Sequence, residues 1–171
     1  MPVANSNLAD PNSRQDPWLN ASQQRAWLNY MQVYHRLEYE MNRHLQTECG
    51  LSLGDYTVMN ALSNAPGRRL QLTNLATTIG WERSRLSHHL QRMTTRGLVE
   101  RTRSVADGRA TDAVLTGEGW ATLSAAAPKH VEWVRTLFFA GITDEQEAQL
   151  ADILGTVYDN ILAEGTLPKP D

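Results

Sequence analysis

The sequence predicts a mainly α-helical protein that also carries a small β-hairpin. Three observations support this fold class. Apolar residues recur every three or four positions over most of the chain, which is the repeat of amphipathic helices. Two short helical stretches are separated by Gly80. The segment after them alternates polar and apolar residues around an Asp107-Gly108 turn, as a hairpin does.

The first predicted helix runs from Trp18 to about Thr47. Its apolar stripe is long and rich in aromatic residues: Trp27, Tyr30, Met31, Tyr34, Leu37, Met41 and Leu45. Residues 1–17 consist largely of Pro, Asn, Asp and Ser, so we expect a disordered lead-in. They lack the basic start and the apolar stretch of a secretory signal.

Two shorter helices are predicted next. Ser52 and Asp55 are spaced as a capping box that begins a second helix, and Ala65-Pro66-Gly67 ends it. A third helix covers about residues 72–79, and Gly80 makes the turn that follows it.

A fourth helix and a hairpin come after this turn. The helix covers about residues 82–96 and buries an apolar face of Leu86, Leu90 and Met93. Alternation predicts strands at residues 98–103 and 111–115, and the turn residues are Ala106-Asp107-Gly108-Arg109.

Two long helices complete the chain. Thr116 is the expected N-cap of a helix that ends near Phe139. Thr143 and Gln146 form a capping box for the last helix, whose apolar repeat is Leu150, Leu154, Val157 and Ile161. The helices at both ends have little core of their own, so we expect them to pair across a homodimer. The alternative is that they fold back on their own domain. Residues 165–171 form a flexible tail in this prediction.

Positive charge is concentrated in one segment. Residues 68–109 contain nine of the sixteen Lys and Arg residues and only three acids, a local net charge of +6. The rest of the chain carries −9, and the whole chain −3. A basic surface on short helices and a hairpin is what binding to double-stranded DNA requires, because neutralisation of phosphates supplies much of the affinity.

Several other classes of protein are excluded by the residues. The single cysteine, Cys49, rules out an internal disulfide, and no apolar run approaches the roughly 18 residues of a membrane span. A cytoplasmic protein is the simplest interpretation. The sequence contains no glycine-rich phosphate loop, no Ser-His-Asp or Cys-His set and no helical pair of metal-binding histidines. We therefore expect no enzyme activity, no catalytic residues, no cofactor and no metal.

The segment LATTIGWERSRLSHHLQRMTTRGLVERTRSVADGRATDAVLT resembles the winged helix-turn-helix core of MarR-type transcriptional regulators. The resemblance rests on Leu75-Ala76, on Arg96-Gly97-Leu98-Val99 at the end of the fourth helix, and on Asp107-Gly108-Arg109 at the wing. In the commoner family pattern, a serine stands at the position of Glu82 and an apolar residue at that of His89.

This resemblance implies a winged helix-turn-helix over residues 48–115, with helical dimerisation regions at residues 18–47 and 116–164. It implies a triangular homodimer that places a recognition helix in each of two major grooves of a pseudo-palindromic operator. The wing would reach the adjacent minor groove. It also implies a pocket near the dimer helices where a small molecule binds and releases the DNA, as in a repressor.

The fourth helix can also be interpreted from its own periodicity. At about 100° per residue, the face opposite its apolar residues begins with Ser84 and His88, flanked by Arg85 and Ser87. The N-terminal part of such a helix enters the groove, so we expect these four residues to contact base edges. We expect Arg92 and Arg68 to hold phosphates. A merely solvated helix face is the alternative.

The wing supplies the remaining predicted DNA contacts. Arg109 at its tip is suited to a narrow minor groove, and Arg101 and Arg103 share one strand face toward the DNA backbone. Asp107 is expected to cap the turn and to orient Arg109 or Arg103 through an ion pair. A plain Asp-Gly turn without a partner is the alternative.

Regulation is less constrained by the sequence. Trp27, Tyr30 and Tyr34 are candidates to line a site for a small hydrophobic or phenolic effector, although the same stripe can serve as dimer core alone. A DNA-binding regulator without any effector, one that senses oxidants through Cys49, and a winged helix that binds only proteins remain alternatives.

Overall fold

The computed structural model describes residues 18–104 and 107–170. The predicted lead-in at residues 1–17 and the turn residue Ala106 lie outside this range. The chain divides into two compact units, the first ending at Tyr39 and the second beginning at Glu40. Helix α1, Ala21–Cys49, belongs to both units. Residues 165–170 lie outside the helices and strands.

The first unit consists, in its described part, of the start of α1. The helix begins at Ala21 rather than at Trp18 because Asn20 and Gln23 cap it reciprocally. The Gln23 amide donates to Asn20 Oδ1 at 2.9 Å, and the Asn20 amide donates to Gln23 Oε1 at 3.1 Å. This is a capping box in which asparagine takes the place of serine.

The second unit contains the remaining elements. In chain order these elements are α2 (Leu53–Asn64), β1 (Arg69–Gln71), α3 (Leu72–Thr78), α4 (Arg83–Thr95), β2 (Val99–Arg103), β3 (Thr111–Leu115), α5 (Gly117–Leu137) and α6 (Asp144–Glu164). A single 3₁₀ turn, Pro66–Arg68, joins α2 to β1. The predicted helices and hairpin strands are therefore confirmed within two residues at their ends, apart from the first helix, which begins three residues later.

The sheet is larger than predicted. The hairpin of β2 and β3 is joined by β1, which pairs antiparallel with β3 to give the order β1-β3-β2. Strand β1 has only three residues, Arg69–Gln71, which is too short a stretch for alternation to be recognised. Its register, with Leu70 opposite Ala113, depends on a partner more than forty positions away in the chain.

The core of the second unit lies between α2, α3, α4, the sheet and the start of α5. Its fully buried side chains include Met59 and Leu62 of α2, Leu75 of α3 and the three predicted residues of α4, Leu86, Leu90 and Met93. The capping boxes predicted at Ser52 and Thr143 are both present, and Thr116 caps α5. These caps fix where the helices begin, and the shared core fixes α4 against α2 and α3.

Candidate nucleic-acid interface

The turn between α3 and α4 is a compact helix cap. Gly80 has a φ of +68°, which favours glycine, and its amide donates to Thr77 O at 3.2 Å. The Trp81 amide donates to Ala76 O at 2.9 Å, which completes a Schellman motif. The turn thereby brings Trp81 beside the first turn of α4.

The same motif ends α4. The Gly97 amide donates to Thr94 O at 2.9 Å and the Leu98 amide to Met93 O at 3.1 Å, with Gly97 at a φ of +71°. The chain therefore passes from α4 into β2 through a short hydrogen-bonded turn.

Helix α4 presents the face that its periodicity predicts. Leu86, His89, Leu90 and Met93 are buried, whereas Ser84, Arg85 and His88 are exposed and Ser87 is half-buried. The N-cap, Glu82, forms no side-chain cap with the helix. The first turns of α4 thus expose small polar and basic side chains.

Two arginines of α4 are held in place from within the protein. The Arg85 guanidinium lies 4.1 Å from the centre of the Trp81 ring, within the range of a cation–π contact. The Arg92 Nη2 donates to His89 Nδ1 at 2.8 Å. Both side chains are exposed, so each remains accessible while its direction is restricted.

The wing turn is organised by Asp107. Its Oδ1 accepts a hydrogen bond from the Arg109 amide at 3.0 Å, and its carbonyl accepts one from the Ala110 amide at 2.8 Å. The predicted capping of the turn is confirmed. The predicted ion pair is not present: among residues 18–104 and 107–170, the Asp107 carboxylate forms no ion pair with Arg103 or Arg109. The carboxylate oxygen accepts a backbone hydrogen bond instead, because the Arg109 amide, two residues along the chain, lies nearer to it than the Arg109 guanidinium does.

The remaining predicted contacts have different surroundings. Arg101, Arg103 and Arg109 are exposed. Arg68 is half-buried, adopts a φ of +55° and stacks its guanidinium 3.9 Å from the centre of the Trp120 ring. This packing accounts for the orientation of Arg68 without DNA, and its phosphate contact stays a prediction.

The count of +6 overlooks internal pairing of two arginines. Arg69 Nη1 lies 3.4 Å from Asp112 Oδ2, and Arg96 Nη1 lies 2.6 Å from Asp55 Oδ2. Both acids lie outside the segment that was counted and are almost fully buried. The positive charge that remains is carried mainly by α4 and the wing.

Asp55 forms a cluster that joins α2 to α4. His89 Nε2 lies 2.9 Å from its Oδ1, and Arg96 bonds its Oδ2. Burial alone would raise the pKa of Asp55, but hydrogen bonds from His89, Ser52 and Arg96 outweigh it, so the pKa lies well below its ordinary value. His89 is therefore a buried packing residue that is also hydrogen-bonded. Its partner was missed because the capping box explains Asp55 locally, whereas His89 is 34 residues away.

The three candidate ligand residues form an aromatic ladder on the first unit. Ring centres are 5.7 Å apart between Trp27 and Tyr30 and 6.2 Å apart between Tyr30 and Tyr34. Each of the three residues is about half exposed. In the second unit, a separate cavity of about 360 Å³ is lined by His130, Val131, Val134, Arg135, Phe139 and Glu147.

Oxidant sensing through Cys49 was an alternative from the sequence, whereas the histidines near it were assigned no role. Burial raises the pKa of the Cys49 thiol, Lys129 partly offsets this rise and Glu48 adds to it, so the reactive thiolate is disfavoured. His44 and His130 both stack on Trp133, and burial followed by the charge of His44 lowers the pKa of His130. Within the described residues, no three His, Cys, Asp or Glu side chains are grouped to hold a metal ion.

None of the described helices is long and apolar enough to cross a membrane.

Comparisons with known proteins agree with this geometry. The model of the MarR family matches residues 50–110. The crystal structure of Sco3205, a MarR family transcriptional regulator from Streptomyces coelicolor in complex with DNA, is 36% identical and aligns with 89% of this chain and 99% of that chain at a TM-score of 0.82. AbsC, a MarR family transcriptional regulator from the same organism, is 32% identical over 87% of this chain and 100% of that chain at a TM-score of 0.80.

A third relative is more distant. The PcaV transcriptional regulator from Streptomyces coelicolor, solved in complex with its natural ligand, is 25% identical over 74% of this chain and 89% of that chain at a TM-score of 0.63. No curated protein sequence matches the chain. The helix-turn-helix, the wing and two relatives above 30% identity that span nearly the whole chain lead to one conclusion. The chain belongs to the MarR family and is a DNA-binding transcriptional regulator, not an enzyme.

Proposed function

We propose that the protein is a homodimeric repressor that binds a pseudo-palindromic operator through α4 and the wing. In this proposal, Ser84, Arg85, Ser87 and His88 contact base edges in the major groove. Arg109, positioned by Asp107, enters the minor groove. Phosphates are held by Arg68, Arg92, Arg101 and Arg103.

The observation that carries the proposal is the exposed polar and basic face of α4. A short hydrogen-bonded turn connects this helix to a wing with Arg109 at its tip. A winged helix that binds only proteins would not need this concentration of arginine, because it has no phosphates to neutralise. The relative Sco3205 was crystallised with DNA, which supports duplex DNA as the partner of this chain.

The homodimer is supported by the terminal helices. Helix α6 has no fully buried residue, and it leaves Leu154, Val157 and Ile161 between 45% and 59% exposed. Trp27, Leu28 and Tyr30 of α1 are similarly exposed. Apolar surface on this scale requires a cover, and a second copy provides a self-complementary one.

Footprinting tests the whole proposal. The probe is a duplex that the protein itself selects from a random-sequence library. A symmetric dimer protects two half-sites about one helical turn apart on that duplex. Protection of a single half-site would contradict the dimer, and the absence of any selected sequence would contradict specific binding.

A small hydrophobic or phenolic effector completes the proposal. PcaV was solved with its natural ligand, and the exposed ladder of Trp27, Tyr30 and Tyr34 offers aromatic surface to such a molecule. Titration with salicylate should quench tryptophan fluorescence saturably and release the selected duplex, with Trp27→Phe as the control for the site. Unchanged fluorescence and DNA affinity across a panel of small phenols would favour a regulator without an effector.

A further inference from the structure

His89 is bonded at both ring nitrogens. Nε2 lies 2.9 Å from Asp55 Oδ1 on α2, and Nδ1 lies 2.8 Å from Nη2 of Arg92, one turn further along α4. His89 is 8% exposed, so its bond to Asp55 is buried, whereas its bond to the exposed Arg92 is partly buried. His89 therefore links a buried carboxylate, that of Asp55, to an exposed cation, that of Arg92.

The partners determine which nitrogen carries the hydrogen. An arginine can only donate, so Nδ1 must accept from Arg92. Nε2 therefore carries the hydrogen and donates to Asp55. The chain of hydrogen bonds runs in one direction, from the Arg92 guanidinium through a neutral imidazole to a buried carboxylate, and each bond polarises the next.

The start of α2 is shaped to receive this imidazole. A Cβ at Gly54 would lie 2.8 Å from His89 Cε1 and 3.0 Å from the Trp81 ring, so only glycine allows the approach. The Trp81 and His89 rings are in edge-to-face contact, with their centres 5.3 Å apart. The Arg85 guanidinium lies over the face of Trp81, 4.1 Å from the ring centre. His89 therefore supports two of the three exposed arginines of α4, Arg92 directly and Arg85 through Trp81.

Asp55 anchors the other end of α4. Its Oδ2 accepts from the Ser52 amide at 3.0 Å and from Arg96 Nη1 at 2.6 Å, and Arg96 Nη2 also donates to Gly50 O at 3.0 Å. One carboxylate thus caps α2 and holds two points of α4, His89 and Arg96, seven residues apart. Two attachment points restrict rotation of α4 about its axis, which one point would permit.

We propose that His89 and Asp55 are positioning residues for DNA recognition: through the hydrogen bond between His89 and Arg92, they direct the Arg92 guanidinium toward the duplex. This inference rests on the proposed insertion of α4 into the major groove. It adds that the contribution of the exposed Arg92 to DNA affinity depends on two buried residues, His89 and Asp55, which do not contact DNA.

A double-mutant cycle separates positioning from mere folding. The variants are His89→Phe, which keeps a ring against Trp81 but loses both nitrogens, Arg92→Ala, and the two combined. The probes are the duplex selected by the wild-type protein and a mixed-sequence duplex of equal length at the same salt concentration. Each single variant should weaken binding of the selected duplex by about tenfold, the size of one charge-assisted hydrogen bond. The double variant should be no weaker than Arg92→Ala, because His89 acts through Arg92.

His89→Asn provides the matched rescue. Its side-chain oxygen lies near the place of Nδ1 and can accept from Arg92, but its shorter side chain does not reach Asp55. Both His89 variants should lower the melting temperature, whereas His89→Asn should bind the selected duplex several-fold more tightly than His89→Phe. A purely structural role predicts that affinity follows melting temperature in both variants.

The outcomes are distinct. Losses in His89→Phe and Arg92→Ala that multiply in the double variant would overturn the inference, and so would equal affinity of the Phe and Asn variants. If His89→Phe does not fold, His89→Gln replaces it in the cycle, because its longer side chain can donate to Asp55 but places no acceptor at the position of Nδ1 for Arg92. Failure of the wild-type protein to select any duplex would instead overturn the proposed function.

Discussion

At the scale of single residues, the proposed interface combines side chains with different degrees of order. Arg85 and Arg92 are held by Trp81 and His89, whereas Arg109 is held only through its backbone amide. The Arg109 side chain itself is free to enter a groove, because Asp107 forms no competing ion pair with it. An arginine that is not paired within the protein has its full charge available for the minor groove.

We therefore expect Arg109→Ala to weaken binding of the selected duplex by about ten- to hundredfold, since the variant loses the minor-groove contact of the wing. A gel-shift titration at fixed salt measures the effect. Lys169→Ala is the matched control, because it removes one positive charge from an exposed residue outside the interface. The assignment of Arg109 is wrong if the two variants bind alike.

At the scale of secondary-structure elements, α2 and α4 are joined by both apolar and polar contacts. The shared core of Met59, Leu62, Leu86 and Leu90 supplies the apolar contact, and Asp55 adds the directional bonds. Capping of α2 and seating of α4 depend on the same carboxylate. Stability of the second unit should therefore respond to the charge of Asp55.

The pKa of Asp55 is depressed in the folded protein, so its contribution to the free energy of unfolding is fully present above the ordinary value near 3.8. The contribution is lost as the pH falls below that value toward the folded pKa. We expect Asp55→Asn to lower the free energy of unfolding at pH 7 by about 2 kcal/mol or more, because a buried charge-assisted network loses its anion.

Urea denaturation at pH 7 and pH 3 measures this dependence. The difference in stability between the variant and wild type should shrink at the lower pH. Asp159→Asn, an exposed acid on α6, is the control and should leave both values nearly unchanged. A constant difference at both pH values would show that the Asp55 charge does not stabilise the fold.

At the scale of the whole molecule, the terminal helices leave large apolar side chains exposed to solvent. Leu154, Val157 and Ile161 follow one stripe of α6, and Ala148 lies on the opposite face of the same helix at about 100° per residue. Pairing of two chains through such a stripe removes it from water.

Val157→Asp should convert the dimer to a monomer, because it places a charge in the apolar contact. Sedimentation measures the mass, and footprinting should then lose the paired pattern of half-sites. Ala148→Asp introduces the same charge on the opposite face and should stay dimeric. Equal masses of the two variants would show that this stripe of α6 is not the interface.

The sequence by itself determined the order of the helices and of the two hairpin strands, the caps at Ser52, Thr116 and Thr143, and the exposed face of α4. These features depend on residues within a few positions of one another, and periodicity and capping chemistry report such short-range relations directly. The resemblance carried by three short motifs also led to the family that the comparisons establish.

Only the tertiary structure decided which charges are free and which are paired. Asp55 meets His89 and Arg96 across 34 and 41 residues, Asp112 meets Arg69 across 43, and β1 pairs with β3 over a similar distance. Such pairings follow from how α2, α4 and the sheet pack around a common core. The basic segment that predicted a DNA-binding regulator is, in three dimensions, an exposed face of α4 and a wing, in which Arg92 is joined through His89 to a buried acid outside the segment.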